Sequence, residues 1–391
     1  MRILFVTARP PWPGRRGDQA RTAGLAEELA ARHTVHVLAQ RWPGFPRAEP
    51  PVEGPSLETV DVGRLGQLGS LVRNRERPLQ VALHGHRRFR RTVQRTVEAF
   101  EPDVVVVVLS RLGDVVEVLD RVPVVLDLVD ALALNMVQRG QRQRWLRRLW
   151  LHEAQRIQSW DRELVARVSL AAVVSERDRR VVVGTDETLA DRVRVVPFGL
   201  RLERSDPQAV ARRPIVSLTG NLGYFPTVDG ALWFADRVWP RVLRRRPDAE
   251  WWLAGSRPSR AIRNLARRPG VRLIPHPETL DSIFHQTAVA VAPLKSGSGT
   301  PIKILEAMAH RVPVVTTSTG RAGLDDLALH AISSADTAEA FARRVVDLLD
   351  QPDRAHRSTQ AAWNWLWSRH ERRTVADLFE SLLEEAVGGV G

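Results

Sequence analysis

Only two lysines occur in this arginine-rich chain, Lys295 and Lys303, and they flank a single short loop. The stretch reads Pro293-Leu-Lys-Ser-Gly-Ser-Gly-Thr-Pro-Ile-Lys-Ile-Leu-Glu-Ala-Met-Ala309. An apolar strand pattern precedes it, glycine and serine fill the loop, and a helical pattern follows. Thr300 suits a helix N-cap and Pro301 the first helical position. Gly297 and Gly299 permit close backbone approach and positive φ. Free amides at a helix start beside such a loop form a ready anion site, to which Ser298 and Thr300 can add hydroxyls. A cation in a first helical turn is disfavoured by about 0.3–1 kcal/mol, a sign that a bound anion would reverse at Lys303. A lysine kept where arginine is used elsewhere suits a phosphate as a flexible point charge. Glu306 follows three residues later on the same helical face. The pattern fits a diphosphate site; the plainer alternative is a capped helix with a Lys303–Glu306 surface pair.

The elements that would position this loop alternate short apolar runs with longer amphipathic ones, the pattern of an α/β protein. Strands are expected at Ile3–Val6, Val35–Leu38, Val104–Leu109, Val122–Leu126, Leu170–Val174 and Val193–Val196. A second series runs Ile215–Leu218, Trp251–Ala254, Val271–Ile274, Ala288–Ala292, Val312–Thr316 and Ala331–Ile332. Continuous Val/Leu/Ile runs indicate parallel strands buried on both faces. Helices are expected over Asp18–Arg32, Arg88–Phe100, Gln141–Arg167 and Thr374–Ala386, and the proline-rich stretch Gln40–Pro55 reads as a loop. Two such series in 391 residues predict two doubly wound domains joined near the polar stretch Gly199–Pro214. The expected boundaries are 1–200, 201–370, and a C-terminal helix in 371–391 that returns to the first domain.

The loop and its neighbours resemble the donor site of the retaining family-4 glycosyltransferases of the GT-B fold, whose two Rossmann-like domains face a central cleft. That family carries a glutamate, seven residues, and a second glutamate. The second matches Glu306, which by resemblance holds the donor ribose hydroxyls. The first falls at Ser298, so the chain is similar to a subset with a Gly-Ser-Gly-Thr loop. Pro10-Pro-Trp-Pro-Gly-Arg-Arg-Gly-Asp18 looks like the family's first strand–helix loop, where Gly17 lets the backbone approach diphosphate or acceptor. Ser217-Leu-Thr-Gly-Asn-Leu-Gly-Tyr-Phe-Pro226 resembles the opening loop of the donor domain, with Gly220 and Asn221 toward the ligand. The resemblance implies transfer of a sugar from a nucleotide diphosphate to an acceptor hydroxyl or amine, with retained anomeric configuration. Donor contacts are then expected from Gly17, Gly220, Asn221, Lys295, Ser298, Gly299, Thr300, Lys303 and Glu306. Competing readings are a GT-B sugar-nucleotide epimerase and a non-catalytic nucleotide or carbohydrate binder.

In the first half, Val122-Pro-Val-Val-Leu-Asp-Leu-Val-Asp130 occupies the place where many relatives carry a histidine. Asp130, and Asp127 beside it, are candidates to orient sugar or acceptor hydroxyls, and Lys303 to stabilise the leaving diphosphate. Asp130 could instead cap the helix that follows. No Asp-x-Asp occurs, so neither a metal nor another cofactor is expected. Cysteine is absent, which excludes thiolate catalysis and disulfides. The net charge of +13 is spread as arginine over both halves without a nucleic-acid module, so no nucleic-acid partner is expected. The expected partners are a nucleotide-sugar donor and an acceptor glycan, lipid-linked sugar or small metabolite. Arg139–Arg148, with Trp145 and Trp150 nearby, would either rest on an anionic membrane or pack its apolar face inward. A cytoplasmic protein is expected, with a peripheral place at the inner membrane face as a variant of that reading.

Overall fold

A computed structural model describes residues 1–14, 16–43, 49–52, 54–202, 213–297, 300–324 and 332–389. The chain divides into two compact units, Met1–Gly199 with Arg372–Gly391, and Leu200–Glu371.

Unit 1 opens β1 (Arg2–Thr7), α1 (Gly17–Ala30), β2 (Thr34–Arg41) and β3 (Ser56–Asp61). Three helices follow, α2 (Arg64–Arg73), α3 (Leu79–His84) and α4 (Arg87–Phe100), then β4 (Val104–Val108) and β5 (Val124–Val129). The unit continues with α5 (Leu132–Arg142), α6 (Arg147–Arg167), β6 (Leu170–Val173), α7 (Glu176–Val183) and β7 (Val193–Val195). Its seven strands are parallel in the order β3-β2-β1-β4-β5-β6-β7. β4 shows why the strands read as unbroken valine: Val105 and Val107 pack into one core layer, and Val104, Val106 and Val108 into the layer behind the sheet. Each such valine contributes about 1.5 kcal/mol or more of apolar burial.

Unit 2 holds β8 (Ile215–Asn221), α8 (Phe225–Trp233), α9 (Trp239–Arg245), β9 (Glu250–Ser256), α10 (Arg260–Leu265) and β10 (Val271–Pro275). Then come α11 (Asp281–Phe284), β11 (Val289–Ala292), α12 (Ile302–Ala309), β12 (Val314–Thr316) and α13 (Ser318–Arg321). It closes with β13 (Ser333–Ser334), α14 (Ala338–Asp350) and α15 (Pro352–His370). The six parallel strands run β10-β9-β8-β11-β12-β13. Phe234, Trp239, Trp251 and Phe341 form the aromatic centre of its core, with ring centroids 4.7–6.2 Å apart. The last helix, α16 (Arg372–Gly388), packs on α1 within unit 1, where Phe379 stacks against Phe5 at 6.4 Å.

Several expectations change. β3 is an edge strand that the alternation of buried and exposed residues at Ser56–Asp61 leaves without a strong apolar run. The helix expected over Gln141–Arg167 breaks at Gln143, so that α5 and α6 pair with each other. The strand expected at Ala331–Ile332 is Ser333–Ser334, paired with β12; Ala331 lies outside the described residues. Among the described residues no helix is long and apolar enough to cross a membrane.

Candidate active site

In unit 2 the site grows from the carboxyl ends of neighbouring strands β9, β8 and β11, where open α/β sheets take their ligands. β8 ends in Gly220, at φ 114°, and Asn221, whose Oδ1 accepts from the Gly223 amide at 3.0 Å. Gly255, one residue before the end of β9, has φ 153°; a Cβ there would stand 1.8 Å from the Gly220 carbonyl oxygen. Gly255 is thus required for the two strand ends to lie this close, and Gly220 for its positive φ. After β11 the chain makes the predicted loop, pinned from β12 and its exit. Thr316 Oγ1 donates to the Ala292 carbonyl at 2.7 Å, and Thr317 Oγ1 donates to that of Leu294.

Lys303 occupies the first turn of α12. Its ammonium donates to Thr227 Oγ1 at 2.9 Å, on the first turn of α8, and lies 3.7 Å from where a Gly220 Cβ would be. The side chain therefore spans the two helix starts across the end of β8. Burial lowers its pKa to about 8, against a smaller upward pull from Glu306. Burial raises Glu306 to about 7, opposed by Lys303 and reinforced by Asp281. Two oppositely charged groups on one helical face are each pushed toward neutrality. An oxyanion at Lys303 would keep the ammonium protonated to higher pH. Lys295 is exposed and stands 4.2 Å over the Trp233 ring, and Gly297, at φ 147°, has open space where a side chain would be.

Thr300 is not the N-cap. Its hydroxyl donates to the Gly323 carbonyl at 3.1 Å, and Pro301 takes the cap position with the helix starting at Ile302. The extended backbone of Pro301, at ψ 93°, moves the start one residue on, and the threonine bonds across the loop instead. Ser298 and Gly299 lie outside the described residues. Sequence reading missed Thr227, whose neighbours gave no polar pattern, and Gly255, whose signal was a glycine closing the run Trp251–Ala254.

Unit 1 brings Gly17 to the start of α1, half-buried, beside Asp18. Asp127 is a different matter. It is fully buried and accepts from Arg21 Nε at 2.8 Å, and Arg21 Nη1 donates to the Pro197 carbonyl at 2.7 Å. A carboxylate sealed in an ion pair cannot reach a sugar hydroxyl, so Asp127 ties α1, β5 and the exit of β7 together. Asp130 remains half-buried at the end of β5, accepting from Asn135 Nδ2 at 3.3 Å. It does not cap α5, whose Ala131 amide donates to Asp178 instead, at 3.0 Å. Val129 precedes it at φ 63°, where β5 shifts register against β6. A β-branched residue in that region is strained, and such strain gathers at ligand sites.

Residues 213–351, most of unit 2, match the model of the family described as glycosyl transferases group 1. The chain is 28% identical over 116 residues to an uncharacterised 44.6 kDa protein of the cps region of Klebsiella pneumoniae, a match covering 28% of this chain and 30% of that relative. In structure it is similar to sucrose-phosphate synthase of Thermosynechococcus elongatus, with TM-score 0.73, 14% identity and all of both chains covered. It is also similar to HepE of Anabaena, crystallised with UDP and glucose, with TM-score 0.66, 14% identity, and 98% of this chain and 99% of that one covered. The likeness to these structures shows the GT-B fold, and the family match is confined to residues 213–351. The part that carries the family match is the part that holds Lys303, Thr227 and Glu306.

Proposed function

We propose that the chain moves a sugar from a nucleotide diphosphate to an acceptor hydroxyl or amine, with retained anomeric configuration. The observation that carries this is the Lys303 ammonium, held at Thr227 between two helix starts and beside Gly220. Proton loss from Lys303 is promoted by burial, and a diphosphate beside it would supply the negative charge that opposes this loss. As the glycosidic bond of the donor breaks, charge builds on the leaving diphosphate. Lys303 and the α12 amides answer it electrostatically, and no metal is needed in this reading. Glu306 would accept from the ribose hydroxyls, and Asp130 would orient acceptor or sugar hydroxyls. A UDP-sugar is the first donor to try, because HepE was also crystallised with UDP-glucose.

The test is thermal shift with UDP, GDP, ADP and TDP on wild type and Lys303→Ala, since a ligand of the folded state raises the melting point. A rise with one nucleotide that the variant loses supports the reading. No rise with any nucleotide overturns it. Release of nucleotide from the donor only when an acceptor is present separates transfer from epimerisation and from mere binding. Product NMR reports the anomeric configuration.

A second reading concerns where the acceptor is met. Trp145 and Leu149 are 84% and 57% exposed, and Val72 and Leu79 are 77% and 50% exposed. The Leu79 amide donates to Glu153 Oε1 at 2.5 Å, one turn from Leu149, and Arg156 donates to the Arg75 carbonyl at 2.9 Å. These bonds join the α2–α3 link to α6, forming an apolar strip with Arg73, Arg75, Arg147 and Arg148 exposed around it. Trp150 turns the other way, with its ring under Arg139 at 4.7 Å. Such a strip suits peripheral contact with an anionic bilayer and hence a lipid-linked acceptor.

A further inference from the structure

The carboxyl end of the unit 1 sheet carries a group of charges that leaving-group stabilisation in unit 2 does not use. β1, β4 and β5 are neighbours and parallel, so the residues that follow them emerge side by side. Arg9 follows β1, Arg111 follows β4 and Asp130 follows β5. Two of these exits bend through the left-handed region, Leu109 at φ 71° and Val129 at φ 63°, conformations that non-glycine residues seldom adopt. Arg9 Nη1 lies 3.3 Å from Asp18 Oδ2. The Nε of Arg111 is buried and has no hydrogen-bond partner among the described residues. Among the charges that act on it, Arg9 and Arg16 oppose its own charge and Asp18 and Asp130 favour it.

On the remaining wall the Asp114 carboxyl, 3.1 Å from where a Gly85 Cβ would stand, is raised by burial to about 7 and so adds little negative charge below that pH. Trp42 meets the edges of His84 and His86 at 4.9 and 5.6 Å, and both histidines are buried. Burial, then Arg111 and Arg9, press His84 toward the neutral form, and the Nε2 of His86 is a second buried nitrogen without a partner among the described residues. Burial first, and then Arg9, lower Arg111 itself to about 10.

The geometry points to an oxyanion site in unit 1, formed by Arg111 and Arg9 at the ends of β4 and β1. The ligand is a phosphate or a carboxylate, which the planar guanidinium fork recognises by paired hydrogen bonds. On the glycosyl-transfer reading, on which this part rests, that anion is carried by the acceptor, so the acceptor is an acidic sugar or a phosphorylated one.

The test uses the full chain at constant ionic strength. Sodium phosphate and sodium acetate are titrated against chloride controls, with and without saturating UDP, and the melting point and calorimetric affinity are read. Phosphate should raise the melting point even when UDP is bound, and Arg111→Gln should weaken phosphate about tenfold or more while changing UDP affinity less than twofold. Arg9→Gln, at a partly exposed side chain, should weaken phosphate in the same direction and stands in if Arg111→Gln does not fold. A response to phosphate alone assigns a phosphorylated acceptor, and an equal response to acetate assigns a carboxylate. Loss of the phosphate effect once UDP is bound would overturn the proposal, as would unchanged phosphate binding in both arginine variants. If no nucleotide binds but phosphate still does through Arg111, the oxyanion site stands and glycosyl transfer falls.

Discussion

Asp127→Asn should cost stability before it costs chemistry. The Arg21 and Asp127 side chains are 0% and 1% exposed, with Nε and Oδ2 2.8 Å apart. Among the described residues Arg21 Nη2 already lacks a partner, and Nη1 has only the Pro197 carbonyl. Removing the carboxylate charge therefore leaves a buried guanidinium with one neutral acceptor in reserve and no route to water. Breaking a buried pair from one side costs about 3–5 kcal/mol, and the amide, which still accepts from Nε, places the loss at about 3 kcal/mol. For a unit of roughly 220 residues this lowers the melting point by about 6–12 °C. Differential scanning calorimetry at pH 7 measures it. The double variant Arg21→Met, Asp127→Leu removes both charges and should return to within about 1 kcal/mol of wild type. If Asp127→Asn melts within a degree of wild type while turnover collapses, the carboxylate touches substrate and the buried-pair reading is wrong.

Nucleotide affinity should pass through a maximum between about pH 7 and 8, because Glu306 protonates below about 7 and Lys303 loses its proton above about 8. Lys303→Arg should abolish the alkaline fall, and calorimetric titration with UDP from pH 6 to 9 reads it. Asp161 is buried, bonded to Ser110, and raised by burial to about 7, so its folded-state pKa lies above its unfolded value. The stabilisation this gives is full below pH 3.8 and is lost as pH rises to about 7. Asp161→Asn should therefore gain in melting point over wild type from pH 4 to 7 and hold a constant gain above, with a flat difference counting against the burial account. Gly255→Ala should lose nucleotide binding while staying folded, because its Cβ would press on the Gly220 carbonyl; unchanged UDP affinity would show that the β8 end does not meet the donor. Trp145→Ser with Leu149→Ser should halve, at least, co-sedimentation with vesicles containing anionic lipid, and salt-insensitive or absent wild-type binding would remove the membrane reading.

The sequence alone determined the α/β class, the two strand series and the strand–loop–helix around Lys303, because these are local: uninterrupted apolar runs specify strands buried on both faces, and glycine, threonine and proline mark loops and helix starts. It placed Lys303 and Glu306 on one helical face because three residues make nearly one turn. It could not decide which polar partner each residue takes. Thr300 read as a cap and bonds Gly323; Asp130 read as a possible cap, and the Ala131 amide beside it goes to Asp178, 47 residues beyond Ala131. Asp127 and Asp130 look alike in a strand-end run, yet the register shift at Val129 and the arrival of Arg21 from α1 seal one and leave the other half-buried. Thr227 beside Lys303, and Arg9 with Arg111, are brought together by strand order alone, across 76 and 102 residues of chain. Burial and charge compensation depend on those long-range neighbours, and it is burial and charge that turn a residue type into a site.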